Sequence, residues 1–431
     1  MASQQPKTSI STLGIIIWSL AALFFLYEFF LRTFVGSVAH QVISDLSLNA
    51  ETFSIIGSAY YIAYGVMQIP VGILADKFGV RLIMVFATLV CAGSTFLFAH
   101  ATGFNSAFVS RLLMGFGSSF AFICLLVVVV TWFPKRYFGF LSGTSQFIGT
   151  MGPLLAGGPL VALMAATHES WQITLNKVGG FGILLAVVIL LVVKNKPRDA
   201  EKQLIFLQPE EPLKTRLLRL AKNKQAWAVA LYSGTIYASI ALLGAIWGTA
   251  YLQARGLSQG AAANIISLIW LGYAVGCPLL GALSDIAKRR KPLLIFCALT
   301  GVIATVCIVY LPLSNLTWAY GILFFSLGIA GSGQNIGFAT IAEQVDVGTR
   351  ATALGLNNGA ITLSAAIIPP LASYFIFLSS GENLLTAEDF MRGFSIMPIL
   401  YGLSFIISWL FIKETYCKPQ KEAIILKIQG A

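Results

Sequence analysis

Twelve apolar runs of about twenty residues follow one another along this chain, and no other feature restricts its fold so strongly. A helix that crosses the ~30 Å hydrocarbon core of a bilayer needs about 20 mostly apolar residues. By that ruler the first six runs cover residues 12–38, 52–75, 81–99, 104–131, 138–164 and 175–193. Six more cover 227–252, 260–284, 292–312, 316–341, 352–379 and 393–412. Between the sixth and the seventh lies a polar stretch, 194–225, that mixes charges of both signs with Pro197, Pro209 and Pro212. It reads as a cytoplasmic linker, with a short amphipathic helix around Leu213–Leu220.

Composition agrees. Only 10% of the 431 residues are charged and 57% are hydrophobic, whereas soluble domains carry roughly a quarter charged residues. A soluble chain of this length would lack the charge to cover its surface. The 40 glycines suit closely packed membrane helices. The net charge of +11 does not indicate nucleic acid, because it sits in short loops and no nucleic-acid motif accompanies it. With both termini inside, the inner loops and tails hold 23 of the 28 Lys and Arg, and only Lys177, Arg255 and Arg392 fall outside. That asymmetry predicts cytoplasmic termini. The polar N-terminus carries no small-residue cleavage pattern, so the first run reads as a retained helix.

An internal repeat supports two halves, 1–193 and 226–431. Gly72-Ile-Leu-Ala-Asp76 after the second run returns as Gly281-Ala-Leu-Ser-Asp285 after the eighth, 209 residues on. Arg136 precedes Gly143 at the start of the fifth run, and Arg350 precedes Gly355 at the start of the eleventh; the glycines are 212 apart. Two landmarks at nearly one offset predict an all-α membrane protein: twelve transmembrane helices in two pseudo-symmetric six-helix bundles. Parallel halves around a midplane site are a transporter architecture.

The loop Gly72-x-x-x-Asp76-Lys77-x-Gly79-x-Arg81 resembles the signature between helices 2 and 3 of the major facilitator superfamily. Asp76 suits a helix N-terminus or a cation across the cytoplasmic face. The resemblance implies that this loop latches the cytoplasmic gate, with Gly281 and Asp285 as its weaker copy. Arg111-Leu-Leu-Met-Gly115 in helix 4 resembles the superfamily's arginine motif, which in proton-using members influences proton transfer or substrate binding. Gly149-x-x-Gly152-Pro153 in helix 5 resembles a glycine–proline motif linked to antiporters. Here three residues, not two, separate the proline from Gly157-Gly158, so a merely kinked and closely packed helix fits as well. Tyr27-Glu28-Phe29-Phe30-Leu31-Arg32 looks like a sequence of bacterial members that include phagosomal nutrient transporters, several of which carry amino acids.

Ionisable groups inside a membrane are costly and mark function by default. Counting 1.5 Å per residue from Gly14, Glu28 lies ~21 Å in, or ~9 Å short of the far edge of the core. Helix 4 starts outside near Asn105, so Arg111 is also ~9 Å deep. Arg32 is one turn beyond Glu28 on the same face. One reading has an arginine holding a substrate carboxylate while protonation of Glu28 releases it. The other is a permanent Glu28–Arg32 or Glu28–Arg111 ion pair that only ties helices together. Tyr60, Tyr61, Tyr64 and Gln68 in helix 2, Gln146 in helix 5, Tyr232, Tyr237 and Trp247 in helix 7, Gln334 and Asn335 in helix 10, and Asn357 and Asn358 in helix 11 could complete a cavity. The second half offers no clear intramembrane charge.

The six cysteines form no CxxC pair and predict neither a disulfide framework nor a metal site. His40, His100 and His168 fall near outer ends. No GxxxxGK[ST] phosphate loop is present, which argues against an ATP-driven pump. The expected function is secondary transport of a small polar solute (amino acid, short peptide or organic anion) across a bacterial inner membrane. It would proceed by alternating access, with proton coupling, no cofactor, and a monomeric chain. A drug or siderophore exporter, a non-transporting sensor on the same fold and a membrane enzyme are the alternatives; no catalytic cluster supports the last.

Overall fold

The structure, a computed structural model, describes residues 11–133, 138–195, 213–311, 313, 316–346, 349–380 and 385–417. The side chains at helical positions 69, 72, 73, 75–77, 130, 138–140, 142, 213, 214, 216, 351, 379 and 380 also lie outside the described set.

Every element in that set is a helix. The first half contains α1 (Thr12–Ser37), α2 (Ala39–Asp45), α3 (Ala50–Phe78), α4 (Val80–Ala99), α5 (Phe104–Trp132), α6 (Phe138–Ala156), α7 (Gly158–Thr167) and α8 (Trp171–Val192). The amphipathic segment expected in the linker is α9 (Leu213–Ala221). In the second half α10 (Lys224–Ser239) runs through a π-helical stretch, Ile240–Trp247, into α11 (Gly248–Ala254). Then follow α12 (Gln259–Ala287), α13 (Lys291–Tyr310), α14 (Thr317–Gly331), α15 (Gly333–Glu343), α16 (Arg350–Ser380), α17 (Ala387–Phe394) and α18 (Ile396–Ile406), which ends in a second π-helical turn.

Helices follow from the setting. Lipid offers the backbone no hydrogen bonds, so each segment must satisfy its own. The ends that reach polar surroundings are capped by side chains. Ser170, Asn223 and Ser258 accept from the first N–H groups of α8, α10 and α12, and Thr386 and Asp389 form a reciprocal capping box at α17.

Among the described residues ten helices are long and apolar enough to span a membrane, eleven if the bent pair α6–α7 is one span. The sequence predicts twelve. The run at 52–75 is α3, 29 residues long, and it falls outside this count because several of its positions lie outside the described set. The fifth run is not one rod. Pro153 sits inside α6, Pro159 starts α7, and the two axes bend by 43° around Gly157. The tenth run likewise divides at Ser332 into α14 and α15. Large apolar side chains stay uncovered around the bundle, among them Leu191, Ile286 and Leu410, as a lipid-facing surface requires.

Within the first half α1 packs on α5 and α6, α3 on α5, and α4 on α5 and α8. Within the second, α10 packs on α15 and α16, α12 on α14, and α13 on α14 and α18. Two long contacts join the halves: α3 against α16, and α6–α7 against α12. The sequence repeat pairs α3 with α12 and α6 with α16. That pairing exchanges one inter-half contact for the other.

Both described chain ends lie at one face of the bundle, here the terminal face. At the opposite face the halves meet closely. Gly36 presses on the backbone of Ala245, where a Cβ would collide with the carbonyl. Gln41 donates to Gln259 at 3.2 Å. The Trp247 indole donates to Ser54 (2.7 Å) and Ser373 (2.8 Å), which also bond each other. Gly158 N–H donates to Ser267 at 2.8 Å.

Candidate functional site

The three charges expected inside the membrane are all buried, and α1, α3 and α5 bring them together. Glu28 and Arg32 share one face of α1, and the Arg32 guanidinium donates to both carboxylate oxygens at 3.0 and 3.1 Å. The Tyr60 hydroxyl of α3 donates to the same carboxylate at 2.6 Å. The guanidinium carbon of Arg32 stands 4.1 Å from the Phe29 ring centre and 4.7 Å from that of Tyr64, which favours a cation over the ring faces.

Arg111 does not pair with Glu28, although the two are level. It donates to the backbone carbonyls of Leu31 (2.5 Å) and Arg32 (3.1 Å), and lies 4.8 Å from the Tyr60 ring centre. It thereby ties α5 to α1 just behind the Glu28–Arg32 pair. The Nε atoms of Arg32 and Arg111 and the Tyr61 hydroxyl are buried and have no protein partner among the described residues.

The second half faces this cluster with polar and aromatic groups. Tyr237 on α10 lies within electrostatic reach of Arg32. Its ring centre is 6.3 Å from that of Tyr273 on α12, whose hydroxyl accepts from Gln334 on α15. The Gln334 carbonyl oxygen is a buried acceptor without a protein partner. Asn335 points instead to Cys277. Arg32 therefore stands where the halves meet, with one N–H that has no protein partner among the described residues. A buried guanidinium with an N–H to spare suits a ligand with an anionic end. Among the described residues, the charged side chains that the second half buries, Arg290 and Asp389, lie at helix ends.

Other expected site residues stand elsewhere. Gln68 and Asn358 bridge α3 and α16 at 2.6 Å, an inter-half contact rather than part of the charge cluster. Trp247 belongs to the opposite-face seal, ten residues beyond Tyr237. Gln146 is half-buried on α6. Asn357 is fully buried, with both amide atoms unpaired among the described residues, and Tyr232 donates to the Leu294 carbonyl inside the second half.

Of the expected gating residues, the side chains of Gly72, Asp76 and Lys77, and all of Arg136, lie outside the described residues. Gly79 adopts φ +77° before α4, a conformation that favours glycine. Arg81 donates to the Leu190 carbonyl at 2.6 Å and its N–H to Asn195 at 2.9 Å, so the loop is fastened to the end of α8. Gly152 lets α6 cross α1 at the Leu26 carbonyl, where a Cβ would collide, and Pro153 helps bend the same span. Gly281 faces open space. Asp285 accepts from Arg290 at 2.7 Å, and Arg350 donates to the Ala342 carbonyl at 3.2 Å. Among the described residues no cluster of His, Cys, Asp or Glu is placed to hold a metal.

Sequence reasoning missed Tyr273, Ser54 and Ser373. A tyrosine or serine in an apolar run carries no periodic signal, and only the packing of α12, α3 and α16 shows what each one touches.

A family model described as Major Facilitator Superfamily matches residues 17–369. The chain is 24% identical to an uncharacterised transporter of Bacillus subtilis, over 91% of this chain and 92% of that protein. It is 24% identical to the hexuronate transporter of the same organism, over 60% and 61%. It is 25% identical to that organism's probable galactarate/D-glucarate transporter, over 91% and 90%. Among solved structures, a bacterial homologue of the human lysosomal transporter Spinster, in an inward-facing and occupied conformation, aligns with a TM-score of 0.77. The identity is 16%, over 93% of this chain and 97% of that one.

Proposed function

The chain belongs to the Major Facilitator Superfamily, and we propose that it moves a small organic anion across a bacterial inner membrane by proton-coupled alternating access. The observation that carries this reading is the buried Glu28–Arg32–Tyr60 set at the junction of the two halves, beside Tyr237. In the resting site Glu28 holds Arg32. A proton on Glu28 cancels its charge and frees the guanidinium for a substrate carboxylate, while Arg111 keeps α1 in place. Loss of the substrate returns Arg32 to Glu28 and expels the proton. One carboxylate is thereby exchanged for another at the same cation, so a proton and an anion travel together.

Substrate class follows from charge and kinship. Two arginines and one glutamate favour an anion, and relatives named for hexuronate and for galactarate or glucarate carry hydroxylated carboxylates. Amino acids are the second reading, because Glu28 could take an ammonium group. The terminal-face positions of most basic loops support cytoplasmic termini. We assign α3 as the twelfth span, residues 1–193 and 226–431 as two bundles related by a pseudo-two-fold axis, 194–225 as the linker, and the monomer as the working unit.

The test is uptake into proteoliposomes. Hexuronates, aldarates and amino acids are supplied one at a time, with and without an inward proton gradient. The expected result is gradient-driven uptake of at least one sugar acid. Uptake of amino acids alone, or uptake indifferent to the gradient, would overturn the substrate class or the coupling respectively.

A further inference from the structure

The segment between the halves ends in a strongly basic helix. Residues 213–224, Leu-Lys-Thr-Arg-Leu-Leu-Arg-Leu-Ala-Lys-Asn-Lys, hold five basic residues and no acidic one. The side chains of Lys214 and Arg216 are outside the described set, but Lys222 and Lys224 are exposed. Arg219 is exposed and lies 3.9 Å from Asp346. On the same helix Leu217 and Leu218 are 40% and 55% exposed, while Leu220 is buried. Uncovered leucines beside uncovered cations fit neither a solvated loop nor a core helix.

The position of α9 explains the combination. The span that follows runs from Lys224 to Ala254, 31 residues, or ~46 Å at 1.5 Å per residue. The hydrocarbon core is ~30 Å thick. An even division of the excess puts Lys224 ~8 Å beyond the hydrocarbon edge, among the headgroups. Trp227, 44% exposed, enters one turn later, at the depth where tryptophans anchor. Its indole donates to the Ala221 carbonyl at 3.1 Å. Asn223 caps α10 and donates to the Gln344 carbonyl at 3.1 Å. These bonds hold α9 at headgroup depth.

We propose that α9, with Lys222 and Lys224, is a binding surface for anionic phospholipid headgroups. The leucines enter the acyl boundary and the cations meet the phosphates, as in an interfacial amphipathic helix. The attachment to Gln344 and Asp346 places the bound lipid against the loop between α15 and α16, so lipid charge acts on the second half.

The test is native mass spectrometry of the full chain released from bilayers of mixed phosphatidylcholine and phosphatidylglycerol. Wild type is expected to retain phosphatidylglycerol in preference to phosphatidylcholine. Lys222→Gln/Lys224→Gln should lower that retention by about threefold or more, and Leu218→Gln should lower it as well. A matching unfolding midpoint in detergent checks that the variants fold. Equal retention of the two lipids, or retention unchanged in the double variant, overturns the proposal. A dimer that the same substitutions dissolve would also overturn it, by assigning the surface to a second copy. None of these readouts depends on transport, so failure of the transport reading leaves the test intact.

Discussion

Removing one partner of a buried ion pair leaves a charge that nothing compensates, at a cost of about 3–5 kcal/mol. Glu28→Gln does this to Arg32, whose guanidinium otherwise sits between the Glu28 carboxylate and the rings of Phe29 and Tyr64. The variant should unfold at lower temperature than wild type. It should also gain more from added organic anions, because an anion replaces the missing carboxylate. Uptake should lose its dependence on a proton gradient. A variant as stable as wild type, with the gradient dependence intact, would remove Glu28 from the coupling role. Tyr60→Phe deletes one hydrogen bond to the carboxylate at 2.6 Å, and bonds to charged groups contribute about 1.5–3 kcal/mol. It should weaken the pair without abolishing it, which thermal unfolding at fixed lipid composition can measure. The Glu28–Arg32 contact was legible because residues four apart on a helix share a face. Arg111 was legible as a buried charge but not as a ligand of the Leu31 and Arg32 carbonyls. That outcome depends on how α5 crosses α1, and depth counting along separate helices does not contain the crossing.

Interruptions inside spans matter as much as spans. A π-helical stretch at Ile240–Trp247 ends on the indole that bonds Ser54 of the first half and Ser373 of the second. Such stretches recur at functional sites, and this one turns Trp247 toward the opposite-face seal. Trp247→Phe keeps the ring but loses the N–H donor. With about 1 kcal/mol per bond, residues 240–247 should exchange amide hydrogens about fivefold faster or more, as hydrogen-exchange mass spectrometry would report. At the terminal face Arg290 donates to Asp285 and Glu343, and Glu414 accepts from the Arg290 and Lys291 N–H groups. Burial alone would lower the Arg290 pKa, but Glu343 together with Asp285 and Cys417 outweighs it and the shift is upward. Arg290 therefore stays cationic, and Arg290→Gln should lower the unfolding midpoint by leaving Glu343 without its guanidinium. The sequence marked where apolar runs begin and end to within a few residues. Pro153 and Gly157-Gly158 offered a kink in the fifth run, but the break at Ser332 and the π-helical stretch went unmarked, because hydrophobicity that runs all round a helix carries no period from which a bend could be read.

At the scale of the whole molecule, the repeat expects α3 to correspond to α12 and α6 to α16, and under that pairing the contacts of α3 with α16 and of α6–α7 with α12 exchange. What it could not foretell is which face is shut. The closure has a local cause at Gly36, whose missing side chain lets α1 rest on the Ala245 backbone of the other half. Neither side of that contact can yield by turning a rotamer, since the obstacle is a carbonyl. Gly36→Ala should therefore push the halves apart, with an overpacking cost of about 1–3 kcal/mol. Each 1.4 kcal/mol shifts the closed-to-open ratio about tenfold. Spin labels at the exposed His40 and Glu388, one on each half at the opposite face, should then gain a longer-distance population. Gly93→Ala is the control, because a Cβ there meets nothing, and it should leave the distribution as in wild type. A common response to both substitutions would assign the change to helix propensity. A response to Gly36→Ala alone ties closure to that one contact and predicts slower transport, since a face that cannot shut cannot complete the cycle.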